Sequence, residues 1–600
     1  MTDLTSTDPA LTNLASTNPA PINPAPTNPA STDLAPDDQI PSQGPKGSKA
    51  YADNVSIDRI PPHPQQTVER MEGPMGLVGL IKNPYVFATA IFASIGGLLF
   101  GYDQGVISGV LVMPQFANKF NLSAVNTGLV VSVLELGCFA GALISGYLAD
   151  KISRKYSIIV ASVIFCIGAA LQGGAQSVAY LFVGRIIGGL GIGMLSMVVP
   201  LYQSEISPPE IRGSLVALQQ FAITIGIFIS FWIDYGTQYL DGDASWRVPL
   251  LIQIACGIFL GAGILLFPHS PRWLMGQNRE NDALRVLSRL RRLPEDNALV
   301  QEEWREIKAV VEFDREVLKQ RYPEHMDGSL KGKFMVGVNQ YKDLFTNSIS
   351  LFSQFPPTNI SPKPLKYYAP TIFHSIGLQG TEVSLLATGI VGIVNVVFTV
   401  PAVLFLDQFG RRPTLLIAST MLTLSHLVIA ILVGLYSSSW PAHTTQGWVA
   451  VAFVYFYIVS HLFLTRPIPS ANFAYSWGPI GWVYPSEIYP LRIRAKAMSV
   501  TTSTNWITNF IVGLITPPML EAWGFGAYVF FGVFCFIGFF WVYFFVPETK
   551  GRSLEEMDQV FGDRSAVADS ELMARVQDNV AQVDVPVNTM GKPETMTETV

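Results

Sequence analysis

The 600-residue chain is 49% hydrophobic and only 14% charged, where an average globular chain is about 25% charged. Its net charge of −6 is small and there is no basic cluster, so nothing supports a nucleic-acid partner. Cys138, Cys166, Cys256 and Cys535 all lie inside apolar runs, which leaves no disulfide framework and no metal spacing. No nucleophile–base set or phosphate loop points to an enzyme, and no cofactor is expected.

Residues 1–80 read as a disordered cytoplasmic tail. The run STNPAPINPAPTNPAST (16–32) is low-complexity and cannot bury a core. It has no apolar h-region, so it does not read as a signal peptide. Apolar runs long enough to cross a bilayer follow at roughly 85–106, 127–149, 157–174, 179–203, 214–235 and 249–267. They make an N-terminal half over 81–270. Residues 271–345 are charged, and RENDALRVLSRLRRLPEDN and QEEWREIKAVVEFDREVL carry helical periodicity with polar faces. Further runs lie at about 384–406, 413–436, 497–519 and 524–546, with a longer tract at 448–487, in a C-terminal half over 346–548. Residues 549–600 form a tail, and 560–600 read as polar and disordered.

Basic residues alternate between connections. Lys151, Arg154, Lys155, Arg212, the insert, Arg411, Arg412, Arg492, Arg494, Lys496, Lys550 and Arg552 share one side; the other holds little beyond Lys119 and Arg247. The positive-inside rule then places both tails and the insert in the cytoplasm. The triplet NLS at 121–123 falls in the first outer loop as a glycosylation acceptor. The charge rule also needs a crossing between 343 and 384. The only candidate there, ISLFSQFPPTNISPKPLKYYAPTIF (349–373), holds Pro356, Pro357, Pro362, Pro364, Lys363 and Lys366. An interior proline costs a helix about 3 kcal/mol, and a lysine at bilayer depth about 2.5–3.5 kcal/mol.

The two halves echo each other. ADKISRK (149–155) matches LDQFGRR (406–412), and SEISPPEIRG (204–213) matches SEIYPLRIRA (486–495). Asp150, Arg154, Glu205 and Arg212 therefore correspond to Asp407, Arg411, Glu487 and Arg494. Such residues can pair across helix ends and cap terminal carbonyls, forming a conformational latch. Lone charges inside the spans are Asp103, Glu135 and Arg185. An intramembrane ionisable group is a functional candidate by default; for Glu135 the simpler reading is a hydrogen bond between helices.

GGLLFGYDQGVISG (96–109), GRIIGGLGIG (184–193), PHSPRWL (268–274), YYAPTIF (367–373), WGPIGWVYPSEIYPLRIRAKA (477–497) and VPETKGRSLEE (546–556) occur in that order. Together they resemble the sugar porter family of the major facilitator superfamily, in its fungal hexose-transporter branch. Ser153 and His269 depart from the family pattern, which commonly has glycine and an acidic residue there. The resemblance implies an all-α membrane protein of two six-helix halves with a cytoplasmic helical insert. It implies a plasma-membrane carrier that takes up a hexose by alternating access. It places sugar contacts at Gln220, Asn395, Trp482 and Asn505, with Gln219 and Trp506 packing or bonding between helices. Side-chain amides both donate and accept, which suits hydroxyls, and an aromatic face covers the sugar's C–H surface. Buried amides can also simply hold helices together.

The resemblance also implies that Asp103 and Arg185 form a proton-coupling pair, with the proton as coupling ion. An arginine alternately near and far would unload and load that carboxylate. A static ion pair is the alternative, and a facilitator without coupling or a sugar sensor remain rival functions; the short 560–600 tail speaks mildly against sensing. Aligned on Tyr367, the amide ligands expected in the seventh helix fall on Pro357, Thr358 and Lys363. The stretch at 350–366 thus reads as a misplaced exon boundary or frameshift, and 459–471 as extra sequence. Transcript reads encoding both segments as written would sink that reading and leave a re-entrant loop as the alternative.

Overall fold

The computed structural model describes residues 76–346, 381–458, 473–550 and 566–582, apart from 112, 326–328, 438 and 490. The irregular stretches at 350–366 and 459–471, and the crossing expected between 343 and 384, lie outside the described residues. Among the described residues nine helical segments are long and apolar enough to cross a bilayer, and no strand occurs.

In the N-terminal half, α1 (Gly76–Lys82), α2 (Pro84–Ala93) and α3 (Ile95–Val110) lead to α4 (Pro114–Phe120). Then come α5 (Ala124–Ile152), α6 (Arg154–Gly173), α7 (Val178–Ile206), α8 (Arg212–Thr237) and α9 (Ala244–Gly263). Lipid tails are as apolar as leucine, so these helices gain little from hydrophobicity alone and associate through close packing. Small residues provide it. A Cβ on Gly101 of α3 would collide with the Ile223 carbonyl of α8, and one on Gly193 of α7 with the Cys138 carbonyl of α5.

The insert consists of α10 (Pro271–Gly276), α11 (Glu280–Arg291), α12 (Ala298–Arg321) and α13 (Leu330–Thr346). The apolar faces of α10, α11 and α12 bury Leu274, Leu284, Leu287, Val300, Trp304 and Ile307 together. Arg291–Glu303 (2.6 Å) and Lys308–Glu280 (2.8 Å) tie α11 to α12 from the polar side.

In the C-terminal half, α14 (Thr381–Phe409), α15 (Arg411–Tyr436), α16 (Thr444–Ile458), α17 (Gly478–Ile488), α18 (Leu491–Trp523) and α19 (Phe525–Phe545) follow. The long tract at 448–487 contains the end of α16 and, past the segment that is not described, a π-helical turn at Phe473–Trp477 that runs into α17. The halves meet along two seams, α5 against α18 and α8 against α14.

Two expectations fail. The tail expected to be disordered through residue 80 ends in α1 (Gly76–Lys82), whose Leu80 is buried and which packs on α14. Within 560–600 the structure has a helix, α20 (Ala566–Ala581), packed on α12. Leu572, Val576 and Val580 recur every fourth residue and meet Ala309 and Phe313. That stripe is too narrow to stand out in a polar segment, and only its partner on α12 makes it worth burying.

Candidate functional site

The bundle centre holds a contact between the halves. Gln220 lies a little over two turns into α8 and is buried. Its Oε1 accepts a 3.1 Å hydrogen bond from Trp482 Nε1 of α17. The half-buried Trp482 ring stands edge-on to Phe100 of α3, with centroids 6.2 Å apart, and Phe100 also lies 4.8 Å from the Trp506 ring of α18. Trp506 itself is fully buried and donates to Ser196 Oγ of α7 at 3.0 Å, a second bond between halves. Asn395 is buried on α14, which packs along α8, and Asn505 is half-buried beside Trp506. The structure thus joins Gln220 to Trp482 directly and sets Asn395 and Asn505 on neighbouring helices. Gln219 faces the other way, against Gly97 of α3.

Asp103 and Arg185 form a buried ion pair, with Arg185 Nη1 2.9 Å from Asp103 Oδ2. Arg185 Nε also donates to the Val130 carbonyl of α5 at 3.1 Å. The amides of Gln172 and Gln253 flank the Asp103 carboxyl. Sequence reasoning passed over both glutamines, since neither lies in a motif that carries the family resemblance. Glu135 is buried on α5 facing Gly513 of α18, at the seam between halves. Sequence reasoning also missed a further intramembrane acid, Asp234, which is buried in the last turn of α8.

The latch residues gather at the end of the bundle that carries the insert. Arg154 binds Glu205 (2.9 Å) and Asp150 (3.3 Å). Its repeat partner Arg411 binds Glu487 (2.7 Å) and Asp407 (2.9 Å). Arg212 and Arg494 are buried at the starts of α8 and α18, and Arg494 Nε donates to the Tyr489 carbonyl at 2.9 Å. Two bonds then cross between halves: Ser214 N to Asp407 Oδ2 (2.8 Å) and Lys496 Nζ to Asp150 Oδ2 (2.9 Å). From α13, Tyr341 adds a wedge. Its hydroxyl sits 3.1 Å from Ser499 Oγ of α18 and donates to the Leu143 carbonyl of α5 at 3.2 Å. Burial pushes this hydroxyl up from its ordinary value, which keeps it a donor. The seam is therefore closed at the insert end.

A family model described as sugar (and other) transporter matches residues 89–561. The chain belongs to this family. It is a transporter of the major facilitator fold and not an enzyme. The MFS glucose transporter mfs1 of Aspergillus flavus is 35% identical over 78% of this chain and 88% of its own length. The low-affinity glucose transporter HXT3 of Saccharomyces cerevisiae is 33% identical over 80% of this chain and 83% of its own. The high glucose sensor RGT2 of the same yeast is 34% identical, but the match covers 61% of that protein. Among solved structures, the proton:xylose symporter XylE bound to 6-bromo-6-deoxy-D-glucose is 29% identical, with a TM-score of 0.64 over 80% of this chain and 99% of that one. Against the inward open conformation of XylE from E. coli the TM-score is 0.55.

Two departures of this transporter from the family pattern have visible consequences. Ser153, between α5 and α6, takes φ 102° and ψ 159°, close to the φ 87° and ψ 168° of Gly410, which occupies the same place between α14 and α15. Its side chain accepts from Tyr156 N at 3.3 Å. His269 stacks on Trp273 with centroids 5.4 Å apart, and burial, with Lys155 and Arg279 nearby, lowers its affinity for a proton.

Proposed function

We propose that this transporter carries a hexose across the plasma membrane together with a proton, the two halves rocking about a site centred on Gln220 and Trp482. The observation that carries this reading is the Gln220–Trp482 hydrogen bond. It places an amide and an aromatic face, the two groups a sugar needs, on opposite halves of a mobile seam. Asn395 and Asn505 complete the polar lining in this reading. Glucose-transporting relatives and a sugar-analogue-bound structural neighbour support hexose as the substrate class.

The buried Asp103–Arg185 pair supports proton coupling. Protonation of Asp103 weakens its hold on Arg185, and the change in contacts biases one state of the seam over the other. The insert and both tails face the cytoplasm in this reading, so the closed latch makes the structure inward-closed.

The test is uptake of labelled hexoses in a cell lacking its own transporters, with and without a pH gradient. Gradient-driven accumulation in the wild type, lost in Asp103→Asn while some sugar exchange persists, is the expected outcome. Uptake that ignores the gradient would make the protein a facilitator, and no uptake at all would favour a sensor.

A further inference from the structure

Asp234 is 1% exposed, and neither of its carboxyl oxygens has a hydrogen-bond partner. The parallel helices α3 and α8 make the slot that holds it. Gly97, Gly101, Gly105 and Gly109 of α3 lie against Gln219, Ile223, Ser230 and Asp234 of α8, and a Cβ on Gly109 would collide with Asp234 Oδ2. Val106 and Val110 of α3 and Trp246 and Leu250 of α9 are buried in one apolar cluster at this end of the bundle.

No charged group among the described residues compensates it. Arg247, at the start of α9, binds the Gly173 and Ala175 carbonyls and pairs with Asp243, which Lys119 also holds. Arg185 and Glu205 of α7 are paired with Asp103 and Arg154. In α14 the charged residue between 389 and 409 is Asp407, at the insert end. In α17 it is Glu487, bound to Arg411. From α3, the Tyr102 hydroxyl donates to the Pro249 carbonyl at 2.9 Å and stands within electrostatic reach of both Asp234 and Asp103. Gly109 lies six residues beyond Asp103 in α3, so Asp234 sits about 9 Å further along the bundle axis.

An ionised carboxyl buried without donors or a cation is costly, and a proton removes most of that cost. An apolar side chain would fill the slot more cheaply; what a carboxyl adds there is the capacity to bind a proton. We propose that Asp234 is a second proton-binding site, which takes a proton from the end opposite the insert and passes it towards Asp103. A hydronium ion gives its proton to the Asp234 carboxylate and leaves as water. When Arg185 draws away from Asp103 and water enters the slot, Asp103 becomes the stronger base and takes that proton, leaving Asp234 an anion until the next hydronium ion arrives. This inference rests on the symport reading above.

The experiment is uptake of labelled glucose over a range of external pH, with wild type and Asp234→Asn at matched surface amounts. The expected result is that the variant loses the pH dependence of accumulation, so that the ratio of driven uptake to gradient-free exchange falls. An Asn variant with the wild-type pH profile overturns the inference while leaving symport intact. A wild type without pH dependence overturns both. If the variant does not reach the membrane, the purified wild type is treated with dicyclohexylcarbodiimide, which attacks protonated carboxyls in apolar surroundings. An adduct on Asp234 that disappears at alkaline pH supports the proposal, and no adduct at acidic pH overturns it.

Discussion

Asp407 accepts a 2.8 Å hydrogen bond from the backbone N of Ser214, in the opposite half of the molecule. Its repeat partner Asp150 accepts one of 2.9 Å from Lys496, which occupies the position in the C-terminal half that Ser214 occupies in the N-terminal half. The latch is therefore pseudo-symmetric in position but not in chemistry. One link runs from a backbone amide, which only proline would remove; the other runs from a side chain that can be deleted.

Lys496→Met should loosen the insert end. A hydrogen bond to a charged group contributes about 1.5–3 kcal/mol, and the Asp150 side chain is 35% exposed, so the effect belongs nearer 1 kcal/mol. Sugar offered from the insert side of inside-out vesicles should bind more tightly, and sugar offered from the other side more weakly. Lys496→Arg should restore the balance. Unchanged affinities from both sides would mean that the Ser214–Asp407 bond and Tyr341 hold the seam by themselves.

Ser153 is expected to respond oppositely to two small substitutions. Its backbone lies in a region that is essentially restricted to glycine and costs other residues about 1–3 kcal/mol, while its side chain supplies a helix cap whose loss costs about 0.5–2 kcal/mol. Ser153→Gly exchanges the cap for relief of strain and should raise Tm. Ser153→Ala loses the cap and keeps the strain, so it should lower Tm. Thermal unfolding in detergent reads both, and a shift of the same sign in the two variants would refute the strain.

Gln220→Ala should weaken hexose binding by roughly 1–3 kcal/mol, the cost of leaving polar partners unpaired in a buried site. It also frees Trp482 Nε1, so indole fluorescence should change even without sugar. Wild-type affinity at matched surface expression would remove Gln220 from the site.

Asn121 tests the orientation. It is an exposed residue in a left-handed turn at the end of α4, away from the insert. If that end is extracellular, the protein made in a eukaryotic cell should migrate faster on a gel after glycosidase treatment, and Asn121→Gln should abolish the difference. Glycan attached to a sequon engineered into the insert instead would invert the topology.

The family and the helical halves were legible in the chain because a bilayer reads sequence almost directly. Apolar length makes a span, basic residues pick a side, and small residues mark where helices approach. The acids and arginines of the latch could likewise be named from the internal repeat, since a charge at a helix mouth needs a partner wherever the chain runs. The partners themselves were decided by tertiary structure. Periodicity cannot say that Trp482 finds Gln220, or that Trp506 finds Ser196, because each bond joins residues hundreds of positions apart across a seam. It cannot separate Asp234, which ends a span like an ordinary boundary residue, from one exposed to water; only the glycine slot of α3 closes over it. The helix Ala566–Ala581 shows the same limit, for Leu572, Val576 and Val580 acquire a reason to order only when α12 presents a matching face.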